Sequence, residues 1–143
     1  MLLVNHYVSQ SPIHGLGVFT REPIRAGNTV WRYDPMFDVD IPASALAHFP
    51  EEAVETVLHH AEFIPHLQVF RLGNDGDMFM NHSETPSLID CGEEMIAARD
   101  LPAGTELTCN YAHVCVLGFA DTAPAPLIHG PLMHGPLMHR VAA

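Results

Sequence analysis

Asn81-His82-Ser83 and Glu106-Leu107-Thr108-Cys109-Asn110-Tyr111 are the two stretches whose reading decides the fold. Thirty positions separate Asn81 from Tyr111, and a third piece, Gly15-Leu16-Gly17, stands far upstream. An asparagine amide both donates and accepts hydrogen bonds, which suits the polar groups of a ligand. Glycine lacks a Cβ and lets another molecule approach the backbone. Taken singly, each piece also has a plain reading. Asn-His-Ser is a common loop triplet, and a tyrosine after a strand can be a core residue with a satisfied hydroxyl. Gly-Leu-Gly is no dinucleotide fingerprint, because neither the further G-x-x-G nor a βαβ unit surrounds it.

The chain around these pieces is that of one domain. Its 143 residues are 48% apolar, with a mean hydropathy of +0.11, enough for one modest core. No apolar run reaches the ~18 residues of a membrane span. The opening Met1-Leu2-Leu3-Val4-Asn5-His6 has neither the basic nor the apolar region of a signal peptide. These features lead us to expect a cytoplasmic protein with no membrane partner. Three cysteines, Cys91, Cys109 and Cys115, with no C-x-x-C, argue against a disulfide framework or a zinc knuckle.

The formal net charge is −11, and all six basic residues are arginine, so the chain contains no lysine. An acidic surface repels phosphates and attracts basic peptides. The expected partner is therefore a Lys/Arg-rich protein segment and not a nucleic acid. A lysine-free chain also suits an enzyme that modifies lysine, since it offers no side chain of its own to modify. Solubility alone, or codon usage, accounts for the same composition equally well.

Short strands and turns dominate the pattern. Val18-Phe19-Thr20 and Thr29-Val30-Trp31-Arg32-Tyr33 are β-branched and aromatic, and glycines and prolines punctuate them. Glu22-Pro23-Ile24-Arg25-Ala26-Gly27 and Asp100-Leu101-Pro102-Ala103-Gly104 share one turn pattern, each before a strand. Residues 42–62 are the only helical stretch. Ser44 is expected to cap a first turn, Pro50-Glu51-Glu52 to open a second helix, and Pro65 to end it. Ala53, Val54, Val57, Leu58 and Ala61 recur at helical spacing. Leu67–Leu72, Ser87–Cys91 and Met95–Ala98 read as strands, and Gly73-Asn74-Asp75-Gly76-Asp77 as a tight acidic turn.

Residues 126–140 repeat Pro-Leu-Ile-His-Gly, Pro-Leu-Met-His-Gly and Pro-Leu-Met-His-Arg. The unit is too short for a solenoid, so we expect residues 1–120 to form the domain and 121–143 a flexible or partner-bound tail. His129, His134 and His139, with Met133 and Met138, are soft-metal donor types. A regular repeat needs no ligand role to explain them, and the expected set of metal-binding residues is empty.

In order and spacing, the three motifs resemble the signature of the SET-domain methyltransferases, over roughly residues 9–112. The resemblance implies a mainly β fold of short sheets, β-clip-like, with one helical insertion and a knot-like core. In that core the N-H-S and E-L-T-x-x-Y segments cross. It implies S-adenosyl-L-methionine as methyl donor and the side-chain amine of a protein lysine as acceptor. It further implies Tyr111 as the catalytic tyrosine. Tyr33 matches, in part, a second tyrosine lining the lysine channel, although Arg32 and Pro35 replace the family's acid and glycine. Gly15, Leu16, Gly17, Asn81 and His82 fall on the donor-binding positions, and Asp90 and Cys109 on the channel.

Some positions depart from the family pattern. Met78 stands where an arginine is frequent, Pro86-Ser87 replaces a Pro-Asn, and Asp90 occupies a position that is often aromatic. An acid there can hold a charged amine. The cysteine-rich zinc segment found after many SET domains has no counterpart here, and Glu84 takes the place of its first cysteine. Phe119 is then the candidate to pack on the adenine, with the tail or a second copy of the chain, as a homodimer, closing the site. Methyl transfer needs a neutral amine, while a free lysine titrates near ~10.4. Burial beside a sulfonium lowers that value, so an apolar channel is the expected wall. The competing readings are a SET-fold module that grips basic peptides without catalysis, and a His/Met metal-binding tail carried on an inert β domain.

Overall fold

The computed structural model describes residues 1–114 of the chain. Three small sheets carry the architecture. The first joins β1 (His6–Gln10), β2 (Leu16–Thr20), β10 (Glu106–Cys109) and β7 (Asn81–His82) in the order β1-β2-β10-β7. The second is β3 (Thr29–Arg32), β9 (Glu94–Ala97) and β8 (Leu88–Asp90), and the third β4 (Val39–Pro42), β6 (Val69–Leu72) and β5 (Glu62–Ile64). All pairings are antiparallel except that of β10 with β7, which is parallel.

The sequence pattern explains why these segments pair. Val18, Val30, Leu88, Leu101 and Leu107 are buried apolar residues from both ends of the chain, and with Trp31, Met80, Met95 and Tyr111 they form one core. Burying each aliphatic side chain contributes about 1.5–3 kcal/mol. The two matching turns meet: Ile24 and Leu101 exchange both main-chain hydrogen bonds at 2.8 Å, and Gly27 and Gly104 each take φ +81°. A repeated turn sequence thus becomes a local pseudo-symmetric clamp over the core.

The helical insertion differs in detail from its expected form. Residues Ala43–His48 make a 3-10 turn that starts after Pro42, and no side chain caps it, so Ser44 is not the cap. Helix α1 (Glu51–His60) follows Pro50, with Glu51 and Glu52 in its first turn, where acids offset the exposed amide groups. It ends at Ala61, well before Pro65, because Glu62–Ile64 pairs with β6. Phe63 and Phe70 face each other in that pairing, with ring centroids 4.9 Å apart, and with Val57 and Ala61 they form a second core. Leu67 and Gln68 lie in the turn before β6, and Gln68 has φ +54°.

Candidate functional site

The crossing of the two motif segments is built by the parallel β7–β10 pair. Asn81 lies opposite Thr108 and His82 opposite Cys109, and the Ser83 amide donates to the Cys109 carbonyl at 3.0 Å. Immediately after β10 the chain turns into a single helical turn, α2 (Tyr111–Val114). The Tyr111 amide donates to His82 Nδ1 at 3.1 Å, and the two rings lie 5.4 Å apart. With Nδ1 accepting, the His82 proton sits on Nε2, which donates to Glu84 Oε1 at 3.0 Å. The Tyr111 hydroxyl donates to the Met80 carbonyl at 2.6 Å in a buried position. A further clip comes from Ser87, whose amide donates to Thr108 Oγ1 at 2.9 Å and whose Oγ accepts from the Thr108 amide at 2.8 Å.

The Gly-Leu-Gly strand abuts this crossing. Asn81 Nδ2 donates to the carbonyls of His14 (3.1 Å) and Leu16 (3.0 Å) and to Glu106 Oε1 (2.9 Å). Its amide hydrogens therefore hold the loop of β2 against β10. Glu106 Oε1 also accepts from Ser11 Oγ at 2.8 Å. A Cβ on Gly17 would lie 2.3 Å from that same Glu106 oxygen, so a side chain there would displace the Glu106 carboxylate from Asn81 and Ser11. At Gly15, with φ +47°, a Cβ would meet nothing within 4 Å, and Leu16 is half exposed. The Gly15 carbonyl already accepts from the Ser11 amide at 2.8 Å and the Leu16 carbonyl from Asn81, so what Gly15, Leu16, Asn81 and His82 offer a donor is the open space at Gly15 beside a polar crossing.

A cavity of about 70 Å³ opens beside Tyr111. Its lining combines Trp31, Met78, Met80, Met95, Cys109, Tyr111 and Val114 with Glu62, Arg71, Gly73 and Asp77, and with His59 and His60 at the end of α1. Burial pushes the Tyr111 phenol above its ordinary range, so it remains a hydroxyl. Burial, aided by the charges of Glu62 and Asp90, pushes the Cys109 thiol up to about 12, which keeps it an inert neutral group.

Apolar surface makes up most of the cavity lining, but charged groups interrupt it. Two carboxyl groups line it. Asp77 Oδ2 accepts from Trp31 Nε1 at 2.6 Å, while its Oδ1 is buried and has no hydrogen-bond partner among the described residues. Burial, then the charge of Asp75, raises Asp77 to about 6. Glu62 is raised to about 8 by burial and then by Asp90, against the opposing pull of Arg71. Arg71 is already bound in a two-pronged contact to Asp40 at 2.8 and 2.9 Å.

Of the residues singled out from sequence, Cys109 and Tyr111 reach this cavity, whereas Tyr33 and Asp90 do not line it. Tyr33 donates to Asp40 Oδ2 at 3.1 Å, and the Arg71 guanidinium lies 3.3 Å above its ring. It therefore backs a cavity residue instead of facing the cavity. Asp90 Oδ1 accepts from the Gly92 amide at 2.8 Å, shaping the turn between β8 and β9. Phe119 and the repeat of residues 126–140 lie outside the described residues. Glu62, Arg71, Asp77 and the cavity face of Trp31 were missed by sequence reasoning. A charged residue between Ala61 and Phe63 was the available signal for Glu62, hidden by its assignment to the helix.

A small β protein whose Asn-His and Tyr segments run side by side next to a Gly-x-Gly strand has the layout of the SET fold. The SET-domain family model matches residues 15–112, and the chain belongs to that family. No curated protein matches it in sequence. Among solved structures it is similar to a Plasmodium falciparum protein described as a candidate histone methyltransferase. That match has a TM-score of 0.54 and 18% identity over 78% of this chain and 96% of the other. It is also similar to chains of the Chaetomium thermophilum Polycomb repressive complex 2. One is an apo form (TM-score 0.62) and another is bound to S-adenosylmethionine (TM-score 0.59). Each is 17% identical over 78% of this chain, which spans only 15% of those longer chains. At such identities the likeness concerns the fold.

Proposed function

We propose that the protein transfers a methyl group from S-adenosylmethionine to the side-chain amine of lysine in a basic protein segment. The carrying observation is the register of β7 against β10. It sets the Tyr111 ring on the cavity and Asn81 on the opposite flank, against the Gly-Leu-Gly strand. This layout supports a donor on one side of the strand pair and an acceptor on the other, as an in-line transfer with reacting atoms at about 3 Å requires.

S-adenosylmethionine would supply an electrophilic methyl on a sulfonium. The chain's own contribution is orientation and exclusion of water. Gly15 leaves open space for the donor, and Asn81 holds the loop beside it by donating to the His14 and Leu16 carbonyls and to Glu106. Met80 and Met95 line the cavity with polarisable apolar surface. The net charge of −11 favours a Lys/Arg-rich partner.

Calorimetry with S-adenosylmethionine and S-adenosylhomocysteine, followed by mass measurement on basic peptides, tests this reading. Donor binding together with a mass gain of one methyl group is expected on lysine peptides. Peptide binding with no change in mass would move the reading to a non-catalytic module. No heat with either compound would end it.

A further inference from the structure

The cavity beside Tyr111 contains more charge than a passage for a neutral amine calls for. Its acids come from separate elements, Glu62 from β5 and Asp77 from the turn before β7, and neither stands within ion-pair distance of a cation among the described residues. Arg71, which faces Glu62 across the β5–β6 pair, is instead held by Asp40. Asp77 is fixed by Trp31 through one oxygen and leaves the other buried without a partner. A buried carboxyl oxygen with no donor is destabilising, and an N–H donor brought to it relieves that cost.

We propose that Asp77 and Glu62 receive the acceptor as a cation, Asp77 Oδ1 accepting one of its N–H groups, and that Glu62 takes the proton it must lose before transfer. This rests on the methyl-transfer reading above. In the proton step one N–H bond of the ammonium breaks and one O–H bond forms on the Glu62 carboxylate. An ammonium and a carboxylate become a neutral amine and a carboxylic acid, and no other reactant is needed. The amine lone pair is then exposed toward the Tyr111 wall. Trp31, Met80 and Met95 supply apolar surface beside the acids. Asp77 acts as the positioning group and Glu62 as the base.

The groups facing Glu62 set its working range. Arg71 favours its charged form, and Asp90 and Asp40 oppose it. Asp77, Cys109 and Tyr111 share the cavity, as do His59 and His60. His60 Nδ1 lies 2.8 Å from the Met78 carbonyl and therefore carries its proton toward that oxygen. With Glu62 near about 8, its ionised fraction, and hence kcat/KM, rises through that pH in the free enzyme.

The test uses the full chain, a basic peptide with one lysine, and its twin with norleucine in that place. Without donor, calorimetry of the wild type should show the lysine peptide binding about tenfold or more tightly than the norleucine twin, and Asp77→Asn should erase the difference. With donor, the wild-type kcat/KM limb should lie near pH 8. In Glu62→Gln it should move toward the ~10.4 of the free amine, with kcat down about 100-fold at neutral pH. Circular dichroism identifies any variant that fails to fold, and Glu62→Asp, which keeps the carboxyl, should recover part of the rate. If the wild type transfers methyl groups but binds both peptides alike, and the limb stays put in Glu62→Gln, the acids have no such role and the methyl-transfer reading survives. If the wild type binds no donor and transfers nothing, both readings fall.

Discussion

The Tyr111 hydroxyl is joined to the Met80 carbonyl across 2.6 Å, so the second residue after β10 is anchored to the residue before β7. That bond ties the two motif segments together beside the cavity that both residues line. Tyr111→Phe removes the donor and leaves the carbonyl buried. A loss of about 1–3 kcal/mol in unfolding free energy is expected, small enough for the fold to persist. Transfer should fall about 100-fold through lost orientation, with the affinity for S-adenosylhomocysteine nearly unchanged. Chemical denaturation and single-turnover mass measurements read the two effects separately. A variant with wild-type turnover would show that the hydroxyl is only structural.

Asn81 carries the opposite flank. Its amide nitrogen donates to two carbonyls and a Glu106 oxygen, and an aspartate at that position would offer only acceptors to three acceptors. Asn81→Asp should therefore destabilise the fold more than Asn81→Ala, by about 1–3 kcal/mol beyond it. Acidification should narrow the gap, because a protonated carboxyl regains one donor. Thermal unfolding of the two variants across pH 4–8 measures the gap, and a constant gap would mean that the three contacts do not carry the stability.

How far the sequence revealed this site depended on where the information lay. Asn81, His82 and Tyr111 were legible because their motif is contiguous and ordered, and the register of β7 with β10 follows from it. The two turn repeats were legible too, because glycine at each end marks a backbone turn. Strand β5 was not legible. The helical period through Val57 and Ala61 runs on into its three residues, and only the pairing of Phe63 with Phe70, distant in sequence, decides against helix. The acids of the cavity were illegible for the same reason. Glu62 and Asp77 belong to elements that meet only once the third sheet packs beside the first core, and no local spacing relates them.

The raised carboxyls also shape stability. Asp77 moves from 3.8 to about 6, and Glu62 from 4.5 to about 8. In each case the folded state holds a proton that the unfolded chain has released, so stability is highest below the ordinary value and declines as pH rises through the folded one. Asp77 accounts for the window between about 4 and 6, and Glu62 for that between about 4.5 and 8. Glu62→Gln should therefore unfold at a higher temperature than the wild type at pH 8, by a gain of a few kcal/mol at most, and the two should converge near pH 4. An unaltered pH profile in the variant would show that Glu62 meets solvent freely.

Gly73 supplies the last test, because it governs where Asp77 can sit. A Cβ on Gly73 would lie 1.9 Å from Asp77 Oδ1 and 2.3 Å from its Cγ, so the carboxyl must swing away in Gly73→Ala. The Asp77 side chain is short and its other oxygen is bound to Trp31 Nε1, which leaves little freedom to yield. Overpacking of this kind costs about 1–3 kcal/mol. Trp31 is the only tryptophan in the chain, so its fluorescence reports on the indole–carboxylate bond directly. Gly73→Ala should shift that emission and weaken binding of the lysine peptide, while S-adenosylhomocysteine binds as before, because the Gly-Leu-Gly flank is untouched. Emission identical to the wild type would mean that the carboxyl never rested against Gly73.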